Sequence, residues 1–217
     1  MRNIDEIVRV SDGVMVARGD MGVEIPFEEI PHLQKMIINK TRNAGKPVIT
    51  ATQMLDSMIR NPRPTRAEIT DVANAIYDGT SAIMLSGETS IGKFAELTVA
   101  TMAKIAEKTE TEIDYVKILE STHINISKNV TDAISYSTCS AAHSLNAAAI
   151  ISITKSGHTS RMVSRYRPKC PIIASTPLVK VYNQLALSWG VIPVLAAEAE
   201  TTDEIFQNAV DNAACAG

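Results

Sequence analysis

Short apolar runs alternate along the chain with longer stretches in which apolar residues recur every three or four positions. A short apolar run is typical of a buried strand, and the longer spacing is typical of a helix with one buried face. In the first half of the chain the predicted strands cover residues 14–17, 47–52 and 81–86. The predicted helices cover residues 28–42, 65–77 and 95–112. This repetition predicts parallel strands joined by right-handed helical crossovers.

The second half repeats the pattern after a polar segment at residues 115–129, where we place a domain boundary. We therefore expect two domains, residues 1–115 and residues 116–217. In the second domain the predicted strands cover residues 147–154, 171–175 and 191–195. The predicted helices cover residues 131–145, 160–166 and 178–189, with a final helix capped by Thr201 and Glu204.

The first domain supplies only three strands, which would leave two edges of a parallel sheet without a neighbour. A closed barrel of eight strands needs about 250 residues. We therefore interpret the first domain as part of a barrel. The predicted fold class is α/β, with a partial TIM-type (β/α) barrel followed by a second α/β domain that contains a mostly parallel sheet.

Composition and charge narrow the class of protein. The chain has 217 residues, of which 45% are hydrophobic and 21% charged, as in ordinary globular proteins. A net charge of −3 and scattered basic residues give no electrostatic reason to expect nucleic acid or an anionic membrane as a partner. The odd number of cysteines (Cys139, Cys170 and Cys215) argues against a disulfide framework and favours reduced thiols in a cytosolic protein.

The first candidate for chemistry follows the first predicted strand. Arg18, Gly19 and Asp20 would form a turn loosened by Gly19 and Gly22. Glycines let the backbone approach a ligand, exposed N–H groups bind anions, and a carboxylate such as Asp20 suits Mg²⁺. The alternative is that Asp20 only forms the turn or caps a helix.

Polar residues also follow the other two strands of the first domain. Parallel strands end at the same edge of a sheet, which is where α/β enzymes form their sites. This shared position favours a functional site, although the threonines could be strand formers and Ser86 and Glu88 could begin a helix. The residues in question are Thr50, Thr52, Ser86, Glu88 and Thr89.

The second candidate is the loop of residues 154–160, in which a strand leads through serine, threonine and glycine into a helix. Hydroxyl and N–H groups meeting at a helix start can bind phosphate, and Lys155 adds positive charge. The alternative is a capping loop with a solvent-facing lysine. The four histidines are isolated, and only His158, which lies in this loop, could contact a ligand.

Five segments together resemble pyruvate kinase, in order and in spacing. They are residues 14–26 (VMVARGDMGVEIP), 50–55 (TATQML), 61–74 (NPRPTRAEITDVAN), 82–89 (AIMLSGET) and 154–157 (TKSG). The resemblance covers essentially the whole chain. It implies phosphoryl transfer from phosphoenolpyruvate to ADP, giving pyruvate and ATP in glycolysis, with Mg²⁺ and K⁺, in a cytoplasmic homotetramer.

The resemblance also implies roles for individual residues. Asp20 corresponds to a ligand of the substrate-bound Mg²⁺, and the substrate-binding residues would be Arg18, Gly19, Asp20 and Thr52. The N–H groups around Gly19 and Asp20 would hold the substrate carboxylate. Thr52 corresponds to the catalytic, substrate-contacting threonine beside the carbon that is protonated. A sugar-phosphate effector such as fructose 1,6-bisphosphate would bind the loop of Thr154, Lys155, Ser156, Gly157 and Thr159.

Other parts of the family pattern have no counterpart in these residues. The lysine that steadies the phosphoryl group and the glutamate that shares Mg²⁺ are expected just before Arg2, and the K⁺ and ADP-phosphate ligands earlier still. The last strands of the second domain are expected after Gly217. We therefore expect a C-terminal fragment of a pyruvate kinase that is inactive alone. The alternative is a non-catalytic, sugar-phosphate-binding regulatory or oligomerisation module.

Overall fold

Strand and helix alternate through the residues that the structure describes, which are 2–122, 129–196, 201, 203–204, 207–208 and 210–211. The computed structural model divides into two compact units, Met1–Ile113 and Asp114–Gly217. Each unit contains a three-stranded sheet whose strands are all parallel. The predicted α/β class with parallel strands is therefore confirmed.

The first unit places its three strands in chain order, β1-β2-β3. Val14 lies opposite Val48, and Ile49 lies opposite Ala82. Two 3₁₀ turns, Phe27–Glu29 and Asp56–Ile59, complete the unit. Its helices and strands are α1 (Ile4–Val10), β1 (Val14–Ala17), α2 (Arg18–Glu24), α3 (Ile30–Asn43), β2 (Val48–Ala51), α4 (Arg66–Tyr77), β3 (Ala82–Met84), α5 (Gly87–Ser90) and α6 (Ala95–Thr111).

The core of the first unit forms where α3 packs on the sheet. Val16 and Val48 are fully buried between the strands and the helix, beside Ile37 and Ile38. The helical spacing of the apolar residues in α3 places these isoleucines on one face, as the sequence predicts. Burying side chains of this kind contributes roughly 1.5–3 kcal/mol each.

A capping box begins α4. The Thr65 hydroxyl accepts from the Glu68 N–H, and the Glu68 carboxylate accepts from the Thr65 N–H at 2.7 Å. Glu68 also accepts from the N–H and the hydroxyl of Ser57, at 2.7 and 2.6 Å. Partial burial raises the pKa of Glu68, but these hydrogen bonds together lower it below its usual value. The carboxylate thereby fastens the 3₁₀ turn after β2 to the start of α4.

The second unit has the sheet order β4-β5-β6. The Glu204 N–H donates to the Thr201 hydroxyl, as the predicted cap requires. None of the helices among the described residues is long and apolar enough to cross a membrane. The elements are α7 (Tyr115–Thr122), α8 (Val130–Ser144), β4 (Ile150–Ile153), α9 (His158–Ser164), β5 (Ile172–Thr176), α10 (Val179–Leu185) and β6 (Val191–Leu195).

A largely buried ion pair joins α8 to the end of α9. Arg165 donates to the Asp132 carboxylate at 2.7 Å and to the Tyr166 hydroxyl at 2.8 Å. The Arg165 guanidinium also lies 4.8 Å from the centre of the Tyr166 ring, close enough for a cation–π contact. Since Tyr166 is itself buried in the core of this unit, the pair fixes the helices to that core.

Several predicted elements differ from the structure. The turn predicted at Arg18 is the first turn of α2, and α5 was not among the predicted helices. The polar segment at residues 115–129 contains α7, and α1 was not predicted. Helix α10 ends at Leu185, so Trp189 lies beyond it, half-buried beneath the Arg167 guanidinium at 4.6 Å. His123, Thr202 and Cys215 lie outside the described residues.

Lys46 closes the end of α1 from a distant position in the chain. Its ammonium donates to the carbonyl oxygens of Val8, Arg9 and Ser11 at 2.6, 2.8 and 2.6 Å. The last carbonyls of a helix have no partner within the helix, and a cation nearby also offsets the negative end of the helix dipole. Lys46 therefore attaches α1 to the segment that leads into β2.

We expect the substitution Lys46→Met to lower the free energy of unfolding by about 1–3 kcal/mol, because it removes all three of these charge-assisted hydrogen bonds. Lys40→Met is the matched control, since Lys40 makes only an exposed ion pair with Asp5. The control should lose less than about 1 kcal/mol. Urea denaturation followed by circular dichroism measures both. Equal losses in the two variants would show that Lys46 contributes nothing beyond surface charge.

Candidate functional site

The carboxyl ends of β1, β2 and β3 lie at one edge of the first sheet, because the three strands are parallel. Arg18 follows β1, Thr52 follows β2, and Ser86 lies two residues after β3. The structure thus brings the three predicted strand ends to the same edge. The side chains there differ sharply in what they contact.

Arg18 joins the ends of two strands to a helix. One terminal nitrogen donates to both carboxylate oxygens of Asp71 on α4, each at 2.7 Å. The other donates to the Thr52 carbonyl at 2.7 Å and to the Met54 sulfur at 2.9 Å. The remaining N–H, on Nε, donates to the Ala51 carbonyl at 3.4 Å. All three nitrogens of the guanidinium therefore have acceptors within the protein.

Thr52 and Gln53 adopt an unusual backbone conformation. Their φ angles are +72° and +54°, in the left-handed region that β-branched residues in particular avoid. Each such residue costs roughly 1–2 kcal/mol, and strain of this kind clusters at functional sites. Two contacts oppose the strain at Thr52: Arg18 holds its carbonyl, and the Gly19 N–H donates to its hydroxyl at 2.8 Å.

Gly19 and Asp20 occupy the first turn of α2 instead of a loose turn. Gly19 does not use its freedom to adopt positive φ. Asp20 is exposed, and its carboxylate has no hydrogen-bond or ion-pair partner within the described part of the chain. Of all the predicted strand-end residues, Asp20 is the acidic one that remains available to a ligand.

Asp20 suits a shared Mg²⁺ site. In the described residues, no three His, Cys, Asp or Glu side chains come together as a complete metal site. Mg²⁺ is typically held by one or two carboxylates together with substrate oxygens and water. An exposed carboxylate at the edge of a parallel sheet fits that coordination as one ligand among several.

Two of the strand-end candidates serve the fold instead of a ligand. Glu88 is only 1% exposed, and its carboxylate accepts from the N–H groups of Leu55 and Ser86 at 3.1 and 2.9 Å. Thr50 is fully buried, and its hydroxyl donates to that of Thr80 at 3.0 Å. The alternative considered for both, a structural role, is what the structure shows.

The loop predicted to bind phosphate in the second unit is closed by its own residues. The buried Thr154 hydroxyl accepts from the Gly157 N–H at 2.9 Å, and Ser156 accepts from the His158 N–H at 3.4 Å. Gly157, at the N-cap of α9, has a φ of +76°. Lys155, Ser156 and Thr159 are exposed around this turn. The loop therefore presents one cation and two hydroxyls to solvent.

Arg161 also belongs to this loop, although the sequence analysis did not single it out. It donates to the Ser156 carbonyl at 3.3 Å. A Cβ at Gly157 would lie 2.8 Å from a terminal nitrogen of Arg161, the far end of a flexible side chain that can move aside, so the positive φ is what requires glycine there. Arg161 lies one helical turn after Gly157, and this spacing could have indicated it.

The two described cysteines do not form a reactive site. Burial, together with the nearby Cys170, raises the pKa of Cys139 to about 12. Burial also raises the pKa of Cys170. Both are free thiols that stay protonated at neutral pH, so neither is an activated nucleophile.

Two family models match the chain. Residues 1–99 match the model for the pyruvate kinase barrel domain, and residues 132–217 match the model for the pyruvate kinase alpha/beta domain. The chain belongs to the pyruvate kinase family. The predicted fold, part of a barrel followed by a second α/β domain, is thereby confirmed, and β1–β3 are strands of the pyruvate kinase barrel.

Individual pyruvate kinases extend this result. The chain is 59% identical over 215 residues to pyruvate kinase of Clostridium acetobutylicum, which covers 99% of this chain and 46% of the relative. It is 54% identical to that of Geobacillus stearothermophilus, covering 99% of this chain and 37% of the relative. A crystal structure of a pyruvate kinase from Cryptosporidium parvum matches 96% of this chain and 43% of its own, at 45% identity and a TM-score of 0.92. The chain thus spans less than half the length of these relatives.

We expect Glu88→Gln to destabilise the first unit by about 2–4 kcal/mol, because the amide can offer only one acceptor to two buried N–H donors. Glu96→Gln, at an exposed position on α6, is the matched control and should change the free energy of unfolding by less than about 0.5 kcal/mol. Thermal and urea denaturation of both variants measure the difference. A Glu88→Gln variant as stable as the control would contradict a structural role for this carboxylate.

Proposed function

We propose that this chain supplies part of the active site of a pyruvate kinase, which transfers the phosphoryl group of phosphoenolpyruvate to ADP in the glycolysis of the cytoplasm. One observation carries the proposal. The exposed Asp20 carboxylate, which has no partner among the described residues, lies at the carboxyl edge of strands from a pyruvate kinase barrel. It follows Gly19, whose N–H donates to the Thr52 hydroxyl. Sites of (β/α) barrels form at this edge.

Asp20 binds a metal ion in this proposal. Bound there, Mg²⁺ would supply positive charge that stabilises the enolate oxygen of the substrate. The N–H groups at the start of α2 bind the substrate carboxylate. Since the Gly19 N–H already donates to the Thr52 hydroxyl, a substrate carboxylate would share this donor and leave the contact with Thr52 in place.

Thr52 acts on the proton. A hydroxyl both donates and accepts, so Thr52 can pass a proton through water to the carbon of the enolate once the phosphoryl group has left. This role needs a hydroxyl fixed in direction, which the hydrogen bond from Gly19 provides. We assign Arg18 to the support of Thr52, because all three of its guanidinium nitrogens already have acceptors in the protein.

We further propose that residues 1–115 are part of the catalytic barrel and residues 116–217 part of a regulatory domain, in an enzyme that assembles as a homotetramer. The lysine that steadies the phosphoryl group, the second carboxylate ligand of Mg²⁺ and the K⁺ ligands belong to family segments that these residues do not include. Phosphoryl transfer depends largely on such charges. These 217 residues alone should therefore show negligible turnover.

The second candidate function is that of an effector-binding module. Lys155, Ser156 and Thr159 are exposed around a glycine turn, and Arg161 lies against the same turn. Such a group of donors suits the phosphate of a sugar phosphate such as fructose 1,6-bisphosphate. This function would persist without catalysis.

A coupled assay of pyruvate formation from phosphoenolpyruvate and ADP, with Mg²⁺ and K⁺, tests the enzyme proposal. We expect no turnover from these residues alone, and turnover once the N-terminal part of the Clostridium acetobutylicum relative is joined to them. In that chimera Asp20→Asn should lower kcat by roughly 10²- to 10³-fold, because the substituted amide is a poor metal ligand. Full activity of the Asp20→Asn chimera would contradict the metal role.

Titration calorimetry with fructose 1,6-bisphosphate tests the effector proposal on the chain itself. We expect binding that weakens about tenfold in Lys155→Met, the loss of one charge-assisted hydrogen bond. Lys169→Met, an exposed lysine outside the loop, is the control and should bind normally. No heat of binding, together with no rise in unfolding temperature on adding the ligand, would contradict this proposal.

A further inference from the structure

We propose that Asp71 is a positioning residue for catalysis, which fixes the Thr52 hydroxyl by way of the Arg18 guanidinium. The proposal rests on the role given above to Thr52. Among the described residues, the Asp71 carboxylate is hydrogen-bonded to the strand-end edge through Arg18 alone, and Asp71 lies 53 residues further along the chain. It would act on the reaction through two successive contacts, from Asp71 to Arg18 and from Arg18 to Thr52.

The geometry of the ion pair determines where the guanidinium lies. Both Asp71 oxygens accept from the same terminal nitrogen of Arg18, each at 2.7 Å. Because a guanidinium is planar and rigid, holding one nitrogen restricts the positions of the other two. The second terminal nitrogen then lies 2.7 Å from the Thr52 carbonyl. Asp71 on α4 thus sets the position of a donor at the end of β2.

Thr52 needs this support because its backbone is strained. It and Gln53 both have positive φ, and each gains free energy by returning to an ordinary conformation. Such a return would rotate the Thr52 side chain away from the Gly19 N–H, to which its hydroxyl is now bound at 2.8 Å. A neighbouring β-strand cannot prevent it, since Thr52 lies beyond the paired residue Ala51.

Global stability alone does not account for the ion pair. The Asp71 side chain is 35% exposed, whereas that of Arg18 is 12% exposed. Partly exposed ion pairs contribute little to the free energy of unfolding. The contact that would be lost with Asp71 is the local one, between the guanidinium and the Thr52 carbonyl.

Asp78, at the C-terminal end of the same helix, offers a control. It is the C-cap residue of α4 and forms an ion pair with Lys35 and a hydrogen bond with Gln34 at 3.1 Å. Asp78→Asn removes the same charge as Asp71→Asn, but at a place that has no contact with Arg18 or Thr52.

Amide hydrogen exchange at Gly19 is the primary measurement, made on the full chain. Gly19 is the second residue of α2, so its N–H has no partner within the helix and is protected by the Thr52 hydroxyl. We expect exchange at Gly19 to rise about tenfold in Asp71→Asn and in Arg18→Lys, as the loss of one hydrogen bond implies. Thr52→Val, which removes the acceptor, sets the upper limit, and Asp78→Asn should leave exchange at Gly19 unchanged.

Two results would overturn the proposal. One is a Gly19 exchange rate in Asp71→Asn that matches the unsubstituted chain while Thr52→Val raises it. The other is a uniform rise in exchange across the amides of the first unit, which would make Asp71 a general stabiliser. Arg18→Lys keeps the positive charge but removes the planar guanidinium. It therefore tests the contact with the Thr52 carbonyl if the Asp71→Asn variant does not fold.

Kinetics in the chimera described above separate this inference from the proposed function. We expect Asp71→Asn to lower kcat roughly 10- to 100-fold, the usual effect of a misplaced group, with little change in the KM for ADP. Faster Gly19 exchange with unchanged kcat would support the positioning and contradict the catalytic role of Thr52. Lower kcat with unchanged Gly19 exchange would overturn the positioning and leave the role of Thr52 in place.

Discussion

The guanidinium of Arg18 is the group on which the candidate site depends. Arg18 directly follows β1. Its guanidinium binds the Thr52 carbonyl after β2 and the Asp71 carboxylate on α4, each at 2.7 Å. Parallel strands share hydrogen bonds only along their length, so their ends separate unless something joins them. A rigid fork with five donors can join three such pieces at once, which a lysine could not.

Charged side chains do similar work elsewhere in the first unit. Glu88 accepts from two backbone N–H groups, one after β2 and one after β3. Glu68 accepts from the 3₁₀ turn that follows β2, and Lys46 donates to three carbonyls at the end of α1. Each one satisfies backbone groups that loops and helix ends leave without partners. Asp20 stands apart because its carboxylate is unpaired among the described residues, and this contrast is what marks it as available to a ligand.

Hydrophobic periodicity predicted most of the fold. All six strands and the long helices appear where the apolar spacing placed them, because burial of those side chains decides the secondary structure. Two of the errors fall on α2 and α5, whose glycines and polar residues favour a turn locally. In both, a contact from elsewhere in the chain holds the segment: Thr52 accepts from Gly19, and the Leu55 N–H donates to Glu88.

Some segments are held by their neighbours in the sequence and others by distant residues. This difference explains which parts of the two candidate sites could be found from sequence. The loop at Thr154 is closed by neighbours within four residues and takes its positive φ at a glycine, so its sequence carries the whole conformation. Thr52 takes positive φ without being glycine, and nothing beside it in the chain explains how. Its support comes from Arg18, 34 residues away, and from Asp71 beyond that. A strained residue that cannot stabilise itself requires distant partners, and such partners become visible only in the folded chain.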